Sequence, residues 1–552
     1  MNNIKTNTLF FTFIALIFVA YGALSFISPQ DLIQWLVQSY GLDIEKAGLL
    51  PLYIHEMTWL KLRVTLAVLF VCMLYLFYGD REVIKEYKLS FFTFFSCIKK
   101  DLFEFSLKER MTLVALVSVF IGALVYYSSV TPLQLDELHT WLFFIRRGAL
   151  VTAAYYPASN NHIAYNLLSI PWSIILSPVW ALRMVSLWSA VATVVLFLLI
   201  LKRRYSFILS VVGMLLLMSS ACFSWYAVQG RGYVLELFFL ITILYILIRL
   251  PLNFTTDRLL VLANASAMYC VPVAIIPVIL LNGFYARQVF KSDPHNLKRT
   301  VRTAVYSVVL IFLCYLPVGI FSGFEQLVNN PFVQRITYHE AFVVGWTVYL
   351  PGIWNFISGC EGLVSAALLV LLLVGTILWC LKHDKFVWLP SLLFLLPLFL
   401  LQVYPVLLFE RTWLWLVIPF VCWCLEVVHA LHRKDKCYTT IAATVFILTI
   451  IMFNFTRSYT TNRLLIKNEQ NFFKLKQAIE IHLNGKKISV DDDVLYDYLL
   501  FYQKDTKNYT LIYTPPSSAV KADAVLKDWK RFNPSYRKVL WTDSVHVLYM
   551  PE

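Results

Sequence analysis

Long apolar runs recur along the first four-fifths of this 552-residue chain, and they constrain the fold more than any other feature. Runs of about 18 residues or more can cross roughly 30 Å of hydrocarbon as a helix. The period-two alternation typical of a membrane barrel is not visible in the sequence. The chain is 59% hydrophobic and only 14% charged, against about 25% charged in an average soluble domain. We therefore predict an α-helical polytopic membrane protein, whose backbone satisfies its own hydrogen bonds within the bilayer.

Length and flanking charge predict about thirteen spans. They are residues 8–28, 60–78, 111–130, 184–201, 205–225, 233–250, 259–269, 271–285, 304–321, 363–381, 386–404, 413–431 and 438–455. The stretch 161–180 is also apolar, but it contains Pro171 and Pro178, and counting it as a span would place Lys202, Arg203 and Arg204 outside. We interpret it as interfacial helices that belong to one large outer loop and do not cross the membrane.

Lysine and arginine are concentrated in alternate loops, which sets the predicted orientation. The basic set consists of Arg81, Lys85, Lys88, Lys99, Lys100, Lys108, Arg110, Lys202, Arg203, Arg204, Arg287, Lys291, Lys298, Arg299, Arg302, Lys382, Lys385, Arg433, Lys434 and Lys436. These loops and the N-terminus are predicted to be cytoplasmic, and the C-terminus outside. The net charge of +14 is then explained by loop residues that set the orientation of the chain in the membrane. Because no stripe combines basic and aromatic residues, we expect no nucleic-acid partner.

Composition divides the chain into three predicted regions. Residues 1–110 are a two-span addition with a basic connection, and the phenylalanine-rich stretch 91–96 in this connection suits an interfacial helix. Residues 111–455 are the membrane domain that carries the site. Residues 456–552 are more polar, with helical spacing at 472–483 and strand patterns at 509–513 and 544–549, and they predict a small extracytoplasmic α/β domain. Ten scattered cysteines indicate neither a disulfide framework nor a zinc site.

Two adjacent carboxylates, Asp136 and Glu137, stand just after the span 111–130, where a hydrocarbon-spanning helix meets water. Neighbours on a helix point about 100° apart, so the two acids can do different work. A carboxylate at the edge of low-dielectric material tends toward a raised pKa, which suits a general base. His139 continues the polar face. The alternative is a pair of interfacial acids that only anchors a helix end.

A second polar cluster, Asn160-Asn161-His162, opens the interfacial stretch of the same outer loop. Glu236 lies within a predicted span, and an acid at that depth is a functional candidate unless it pairs with Arg231 or Gln229. His339 and Glu340 are a weaker candidate for contact with a ligand or metal.

Three arginines stand at helix ends on the predicted outer face, against the usual distribution of positive charge. Arg231 lies between Gly230 and Gly232, Arg411 follows Glu410, and Arg183 opens a span. The planar guanidinium suits a phosphate. The alternatives are an interfacial side chain that reaches out to water and a local ion pair. Together with the acidic pair, the arginines fit a phosphate-bearing lipid headgroup beside a carboxylate base.

On these residues the chain resembles multi-spanning glycosyltransferases of the GT-C fold that use polyprenyl-phosphate sugars. It is similar to bacterial protein O-mannosyltransferases and to aminoarabinose–lipid A transferases. The matching features are, in order, Asp136-Glu137 after a span, Asn160-Asn161-His162 followed by Leu182-Arg183, Tyr226 with Gly230-Arg231-Gly232-Tyr233, and more loosely Glu410-Arg411. The resemblance covers residues 111–455. Ile163 stands where many relatives have proline.

The resemblance implies a reaction and a set of roles. A sugar would move with inversion from a polyprenyl phosphate to an acceptor hydroxyl, at the outer face of the cytoplasmic (inner) membrane. Asp136 or Glu137 would be the base, and Arg231, Arg411 and Arg183 would bind the donor phosphate. The residues that line the substrate-binding site would be His139, Asn160, Asn161, His162, Tyr226, Tyr233 and Glu410. The acceptor, whether protein, lipid A or another glycan, is not specified. Relatives differ in needing a divalent metal, and without further acids near Asp136 we expect no obligate metal.

Two other functions are compatible with many spans and outer arginines. A lipid-linked glycan polymerase or flippase-like transporter is one, although a transporter is expected to show internal repeats and helices broken at mid-membrane. No clear repeat is visible, and the polar residues cluster at the outer edge. A membrane scaffold that displays the C-terminal region is the other, and it leaves the placement of the arginines unexplained.

Overall fold

The computed structural model describes residues 81–157, 160–292, 297–328, 334–380, 393–432, 472–483, 485–503, 509–513, 523–528, 538–542 and 546–550, with a few isolated residues between these ranges and before Arg81. The helices are α1 Arg81–Phe103, α2 Leu107–Val130, α3 Leu135–His139, α4 Ala149–Ala154, α5 Ile163–Ile175, α6 Pro178–Lys202, α7 Phe207–Ser219, α8 Ala221–Ala227, α9 Tyr233–Arg249, α10 Phe254–Cys270, α11 Ile275–Ser292, α12 Leu297–Phe321, α13 Glu325–Val328, α14 Tyr338–Val344, α15 Leu350–Ser358, α16 Gly362–Cys380, α17 Leu396–Val403, α18 Val417–His432, α19 (472–482) and α20 Asp493–Tyr502. The strands are β1 Gln334–Arg335, β2 Val406–Leu407, β3 Lys487–Val490, β4 Thr510–Tyr513, β5 Ala524–Asp528, β6 Lys538–Thr542 and β7 His546–Met550.

Helices of membrane-spanning length and apolarity are present, as the sequence predicts. Within the described residues six qualify, or seven if the bent pair α7 and α8 forms one span. The six are Leu107–Val130, Pro178–Lys202, Pro272–Ser292, Leu297–Phe321, Tyr338–Ser358 and Glu410–His429. The predicted count of about thirteen is not confirmed. Predicted spans 8–28, 60–78 and 438–455 fall almost entirely outside the described residues.

The structure differs from the predicted spans in two places. Residues 205–225 form two helices bent by 64°, because Ser220 is extended and the amide of Ala221 donates 2.6 Å to the Asn454 side chain and not to a helical carbonyl. Residues Tyr338–Ser358, predicted as loop, form a helical stretch with a π turn at Gly345–Tyr349.

The stretch 161–180 forms the short helix α5, as the interfacial interpretation requires. Its 13 residues are about 20 Å long, which is less than the hydrocarbon thickness. Ile174 and Ile175 near its end are exposed. The chain then breaks at Leu176 and restarts at Pro178 as α6, the most deeply buried long helix together with the stretch Glu410–His429.

Helix α1 presents aromatic side chains to the outside of the protein. Phe91, Phe92, Phe95 and Phe103 are exposed, whereas Phe94 is buried against Tyr245. Basic residues of α1 lie over two of the exposed rings. This arrangement suits the predicted interfacial helix on the cytoplasmic leaflet, where the apolar rings would enter the acyl boundary.

The C-terminal residues form a five-stranded mixed sheet of order β4-β3-β5-β7-β6. Strand β3 pairs parallel with β4 and β5, and β7 pairs antiparallel with β5 and β6. Leucine and isoleucine side chains from α19 and α20 share a core with the sheet. The predicted strands 509–513 and 544–549 correspond to β4 and β7. The boundaries 1–110, 111–455 and 456–552 stay predictions.

Candidate active site

The acidic pair lies on α3, a helix of only five residues that follows α2 after a short extended stretch. The Glu137 carboxylate accepts a hydrogen bond of 3.0 Å from the amide of Gln134, which satisfies one of the free donors at the helix start. A π turn, Thr140–Phe144, continues the helix. Such a short element cannot fix its own direction, so side-chain contacts decide where each carboxylate points.

Glu137 points into the protein and forms a closed ion pair with Arg183. Both side chains are fully buried, and the guanidinium meets both carboxylate oxygens at 2.9 Å. The amide of Gly230 donates to the same carboxylate at 2.6 Å. The remaining Arg183 donors bond to the carbonyls of Ser128, Thr131 and Pro132. This placement does not support the predicted roles of Glu137 as base and Arg183 as phosphate ligand, because neither has a free, accessible atom.

Asp136 points the other way, toward solvent and two arginines. Its side chain is 34% exposed, and its Oδ2 lies 3.2 Å from Arg231 Nη2 and 3.3 Å from Arg411 Nη1. Arg231 is 2% and Arg411 30% exposed. Within the described part of the chain, the buried Nε of each arginine donates no hydrogen bond. One half-exposed carboxylate is thus shared by two guanidiniums, which leaves a net positive charge at this point.

Arg231 is held by the short junction between α8 and α9. Its Nη1 donates to Asn160 Oδ1 and to the carbonyl of Asp136, and its guanidinium lies over the Tyr233 ring. Both flanking glycines are needed for the close approach. A Cβ on Gly230 would lie 3.0 Å from Leu182 Cβ, and one on Gly232 would lie 2.9 Å from His162 Cβ.

His162 and Asn161 support the junction from the other side. The Asn161 amide donates to the carbonyls of Thr152 and Tyr155, both at 2.8 Å, so it shapes the loop and does not face a ligand. His162 Nδ1 donates to the Cys270 carbonyl at 3.2 Å. Burial first, and then the Arg231 charge, hold the His162 pKa well below its ordinary value. The imidazole is therefore neutral, and its buried Nε2 has no partner among the described residues.

Aromatic rings form one wall beside the arginines. Tyr233 packs edge-on against His162 and Tyr226, with ring centroids 4.9 and 5.1 Å apart. Tyr226 in turn contacts Phe356. Arg411 lies over the Phe409 ring at 4.3 Å. Glu410 is exposed, close to the backbone of Gly352.

The predicted site residues therefore separate into three groups. One cluster contains the partly exposed Asp136, Asn160 and Arg411 and the buried Arg231, His162, Tyr226 and Tyr233, and the exposed Glu410 stands directly before Arg411 in the chain. Glu137, Arg183 and Asn161 lie behind it as internal supports. His139 faces the C-terminal helix α20, where its Nε2 is 2.8 Å from Asp497 Oδ2.

The weaker candidates lie outside this group. Glu340 is exposed and caps α14 through Thr337. Glu236 is buried, and its carboxylate makes no ion pair or hydrogen bond with Arg231, Gln229 or any other residue in the described ranges. The alternative of a local pair is therefore not supported, and a functional role of Glu236 stays a prediction. No three His, Cys, Asp or Glu side chains in the described ranges are grouped in a way that could hold a metal. The metal requirement stays a prediction.

Sequence reasoning missed Asp497 and Tyr498, which contact the segment around α3. They are separated from it by more than 350 residues. No local pattern marks them, because their importance comes only from the docking of α20.

Comparisons with known proteins identify a limited likeness. No protein-family model and no curated protein matches the chain. The chain is similar to a crystal structure of ArnT from Cupriavidus metallidurans bound to undecaprenyl phosphate, with 10% identity, a TM-score of 0.47, and coverage of 81% of this chain and 98% of that chain. The apo state of the same protein gives 12% identity, a TM-score of 0.44, and coverage of 80% and 98%. Both TM-scores lie below 0.5, so neither likeness assigns a function to any residue of this chain.

Proposed function

We propose that this chain is a GT-C-type membrane glycosyltransferase. It moves a sugar from a polyprenyl-phosphate carrier to an acceptor hydroxyl at the outer face of the cytoplasmic membrane, with inversion. The observation that carries the proposal is the half-exposed Asp136 carboxylate, shared by Arg231 and Arg411. The site combines an accessible base with a surplus of positive charge, as transfer from a lipid phosphate requires.

Arg231 and Arg411 are the proposed phosphate ligands. Two guanidiniums against one carboxylate leave a net positive charge, and a phosphate oxygen can take the Arg231 Nη2 and Arg411 Nη1 donors that now face Asp136. As the bond between the anomeric carbon and the phosphate oxygen breaks, negative charge grows on the phosphate. Fixed donors aimed at such charge are commonly worth about 3–4 kcal/mol each. The burial of Arg231 strengthens the interaction because little water screens it.

Asp136 is the proposed general base. It takes the proton from the acceptor hydroxyl, whose oxygen attacks the anomeric carbon from the face opposite the phosphate and inverts it. The electron pair of the broken bond leaves with the lipid phosphate. Before the donor arrives, Asp136 is bound to both arginines. A phosphate that binds the arginines competes with this contact, so donor binding releases the carboxylate toward the acceptor.

The remaining site residues take supporting roles in this scheme. The Glu137–Arg183 pair orients α3 from inside the protein. Asn160 orients Arg231, and the buried rings of Tyr226, Tyr233 and His162 pack together and hold the Arg231 junction in place. The acceptor class is tested by supplying a protein, lipid A or a lipid-linked glycan in parallel.

The test is transfer of radiolabelled sugar from polyprenyl-phosphate sugars in proteoliposomes. We expect Asp136→Asn to keep polyprenyl-phosphate binding while its transfer rate falls about 100-fold or more. Arg231→Gln should weaken polyprenyl-phosphate binding, whereas the control Glu340→Gln, an exposed acid outside the site, should match wild type. A wild type that leaves every donor intact but moves it between leaflets would replace the proposal with the transporter.

A further inference from the structure

The C-terminal helix α20 stands between the sheet and the segment that carries Asp136. Its start is fixed by Asp492, whose side chain accepts 2.8 Å from the amide of Leu495. Leu495 and Leu499 are buried in the core that α20 shares with the sheet. The helix is thereby tied to a folded unit that can serve as a support.

The other face of α20 is aromatic and packs on the outer segment around α3. Tyr498, Phe501 and Tyr502 cover a small core formed by Leu133, Leu138, Ile145 and Leu182. The Phe501 ring lies edge-on to Trp141 with centroids 6.5 Å apart. One helix thus contributes to two cores, one on each side.

Two polar contacts fix the position of α20 relative to α3. The Tyr498 hydroxyl donates 2.6 Å to the Leu133 carbonyl, two residues before α3 begins. Asp497 Oδ2 lies 2.8 Å from His139 Nε2, at the last residue of α3, and Asp497 is largely buried. Both ends of the five-residue helix are therefore held by neighbouring residues of α20.

Asp136 lies between these two points, three residues before His139, and residues three apart lie on the same side of a helix. Glu137 ties the helix to Arg183 on the inside. The Gly230 amide also bonds to Glu137, and Arg231 bonds to the Asp136 carbonyl. These contacts all hold residues 136 and 137, so the two ends of the short helix can still tilt about them. The contacts of α20 remove this freedom and so fix where the Asp136 carboxylate stands.

We propose that Asp497 and Tyr498 are positioning residues that hold Asp136 at the reacting centre through His139 and Leu133. This inference rests on the proposed function, in which Asp136 is the base. A base displaced by about 1 Å can lose about 100-fold in rate. Binding of the lipid phosphate depends on Arg231 and Arg411, which α20 does not contact. Loss of the α20 contacts should therefore leave the affinity for the lipid phosphate unchanged.

The experiment uses the full-length protein in proteoliposomes and compares Asp497→Ala, Tyr498→Phe and the double variant with wild type. Tyr498→Phe removes one hydroxyl and keeps the ring that packs on the outer segment, so it tests the contact without emptying the core. Glu480→Ala is the matched control, because it removes an acid from an exposed ion pair elsewhere in the C-terminal region. Amide hydrogen exchange over residues 133–141 and transfer kinetics are measured on each protein.

We expect exchange over residues 133–141 to be at least tenfold faster in the double variant. Its kcat should be at least tenfold lower, with the KM for the lipid donor within about twofold of wild type. Unchanged exchange, unchanged kcat, or a loss of donor binding equal to the loss of turnover would each overturn the inference. Failure of the proposed function is distinguishable, because wild type itself would then transfer no sugar while the exchange difference remained.

Discussion

At the scale of single residues, the site shows how two neighbouring carboxylates acquire opposite environments. Glu137 is fully buried and bonded on both oxygens, whereas Asp136 is 34% exposed and shared by two arginines. Their divergence follows from helix geometry and was predictable from sequence. Which of the two faces solvent was not, because it depends on Arg183, 46 residues away.

Replacement of each acid by its amide should affect the stability of the protein differently, because the two carboxylates have different environments. Glu137→Gln leaves the Arg183 guanidinium buried without its counter-charge, and breaking a buried pair costs about 3–5 kcal/mol. We expect a strongly lowered Tm or loss of folded protein in detergent. Asp136→Asn should cost less than Glu137→Gln, because Asp136 is 34% exposed and one of its two arginines, Arg411, is 30% exposed, so water replaces part of the lost contact. Thermal unfolding of both variants is the measurement, and the opposite order of stability would contradict the assignment.

His162 should make the protein sensitive to acid. Its pKa in the folded state is well below its ordinary value of 6.5, so the unfolded chain takes up the proton first as the pH falls. The stability that comes from the neutral imidazole is complete above about pH 6.5 and declines below it. We expect the wild-type Tm to fall between pH 7.5 and 5.5. The Tm of His162→Gln should fall less over this interval, and an equal fall in both proteins would count against a neutral buried histidine.

At the scale of elements, the Gly230-Arg231-Gly232 junction between α8 and α9 carries Arg231 into the site. Glycines on both sides of Arg231 leave room for close backbone approach at this junction. The structure adds what is approached, which is Leu182 on α6 and His162 before α5. The junction between α8 and α9 therefore packs against both α6 and the start of α5.

Gly232→Ala should disturb this junction. The added Cβ would lie 2.9 to 3.1 Å from the Cβ, Cγ and Nδ1 of His162, so the ring must move. Overpacking of this kind typically costs about 1–3 kcal/mol. We expect a lower Tm and weaker binding of polyprenyl phosphate, measured by thermal shift and equilibrium binding.

Gly122→Ala is the matched control for that substitution. It lies on the exposed side of α2, and a Cβ there meets nothing within 4 Å. It should be neutral or slightly stabilising, because alanine favours helix by about 1 kcal/mol over glycine. Equal effects of the two substitutions would show that the junction is not tightly packed.

Elements with a strong apolar signal were predictable, and those that depend on a distant contact were not. Helices α2, α6 and α12 end within one residue of their predicted bounds but begin four to seven residues earlier, because composition identifies the apolar run and not the helix start. The break at Ser220 depends on the Asn454 side chain, which is distant in sequence. The stretch Tyr338–Ser358 was predicted as loop because His339, Glu340 and several small residues lower its mean hydropathy to 1.2.

At the scale of the whole molecule, helix α6 separates two chemically different ends. Arg183 lies near its start with the site, and Lys202 at its end, 25 residues in all, or about 37 Å. At the Lys202 end, Arg203 and Arg249 bind Asp101. Arg204 binds Glu426 at the same end. This asymmetry was predictable from the distribution of lysine and arginine, but the docking of α20 on the site segment was not, since no sequence pattern links Asp497 to His139.

The predicted orientation can be tested by single cysteines at the two ends. Glu480 is exposed in α19, in the C-terminal region predicted to lie outside, and Lys108 is exposed at the start of α2, on the predicted cytoplasmic side. In intact spheroplasts, a membrane-impermeant maleimide should label Glu480→Cys at once and Lys108→Cys only after the membrane is opened. Wild type sets the background, since the cysteines in the described ranges are buried or only partly exposed. The reverse labelling would place the Asp136 site in the cytoplasm, where an outer-leaflet donor could not reach it.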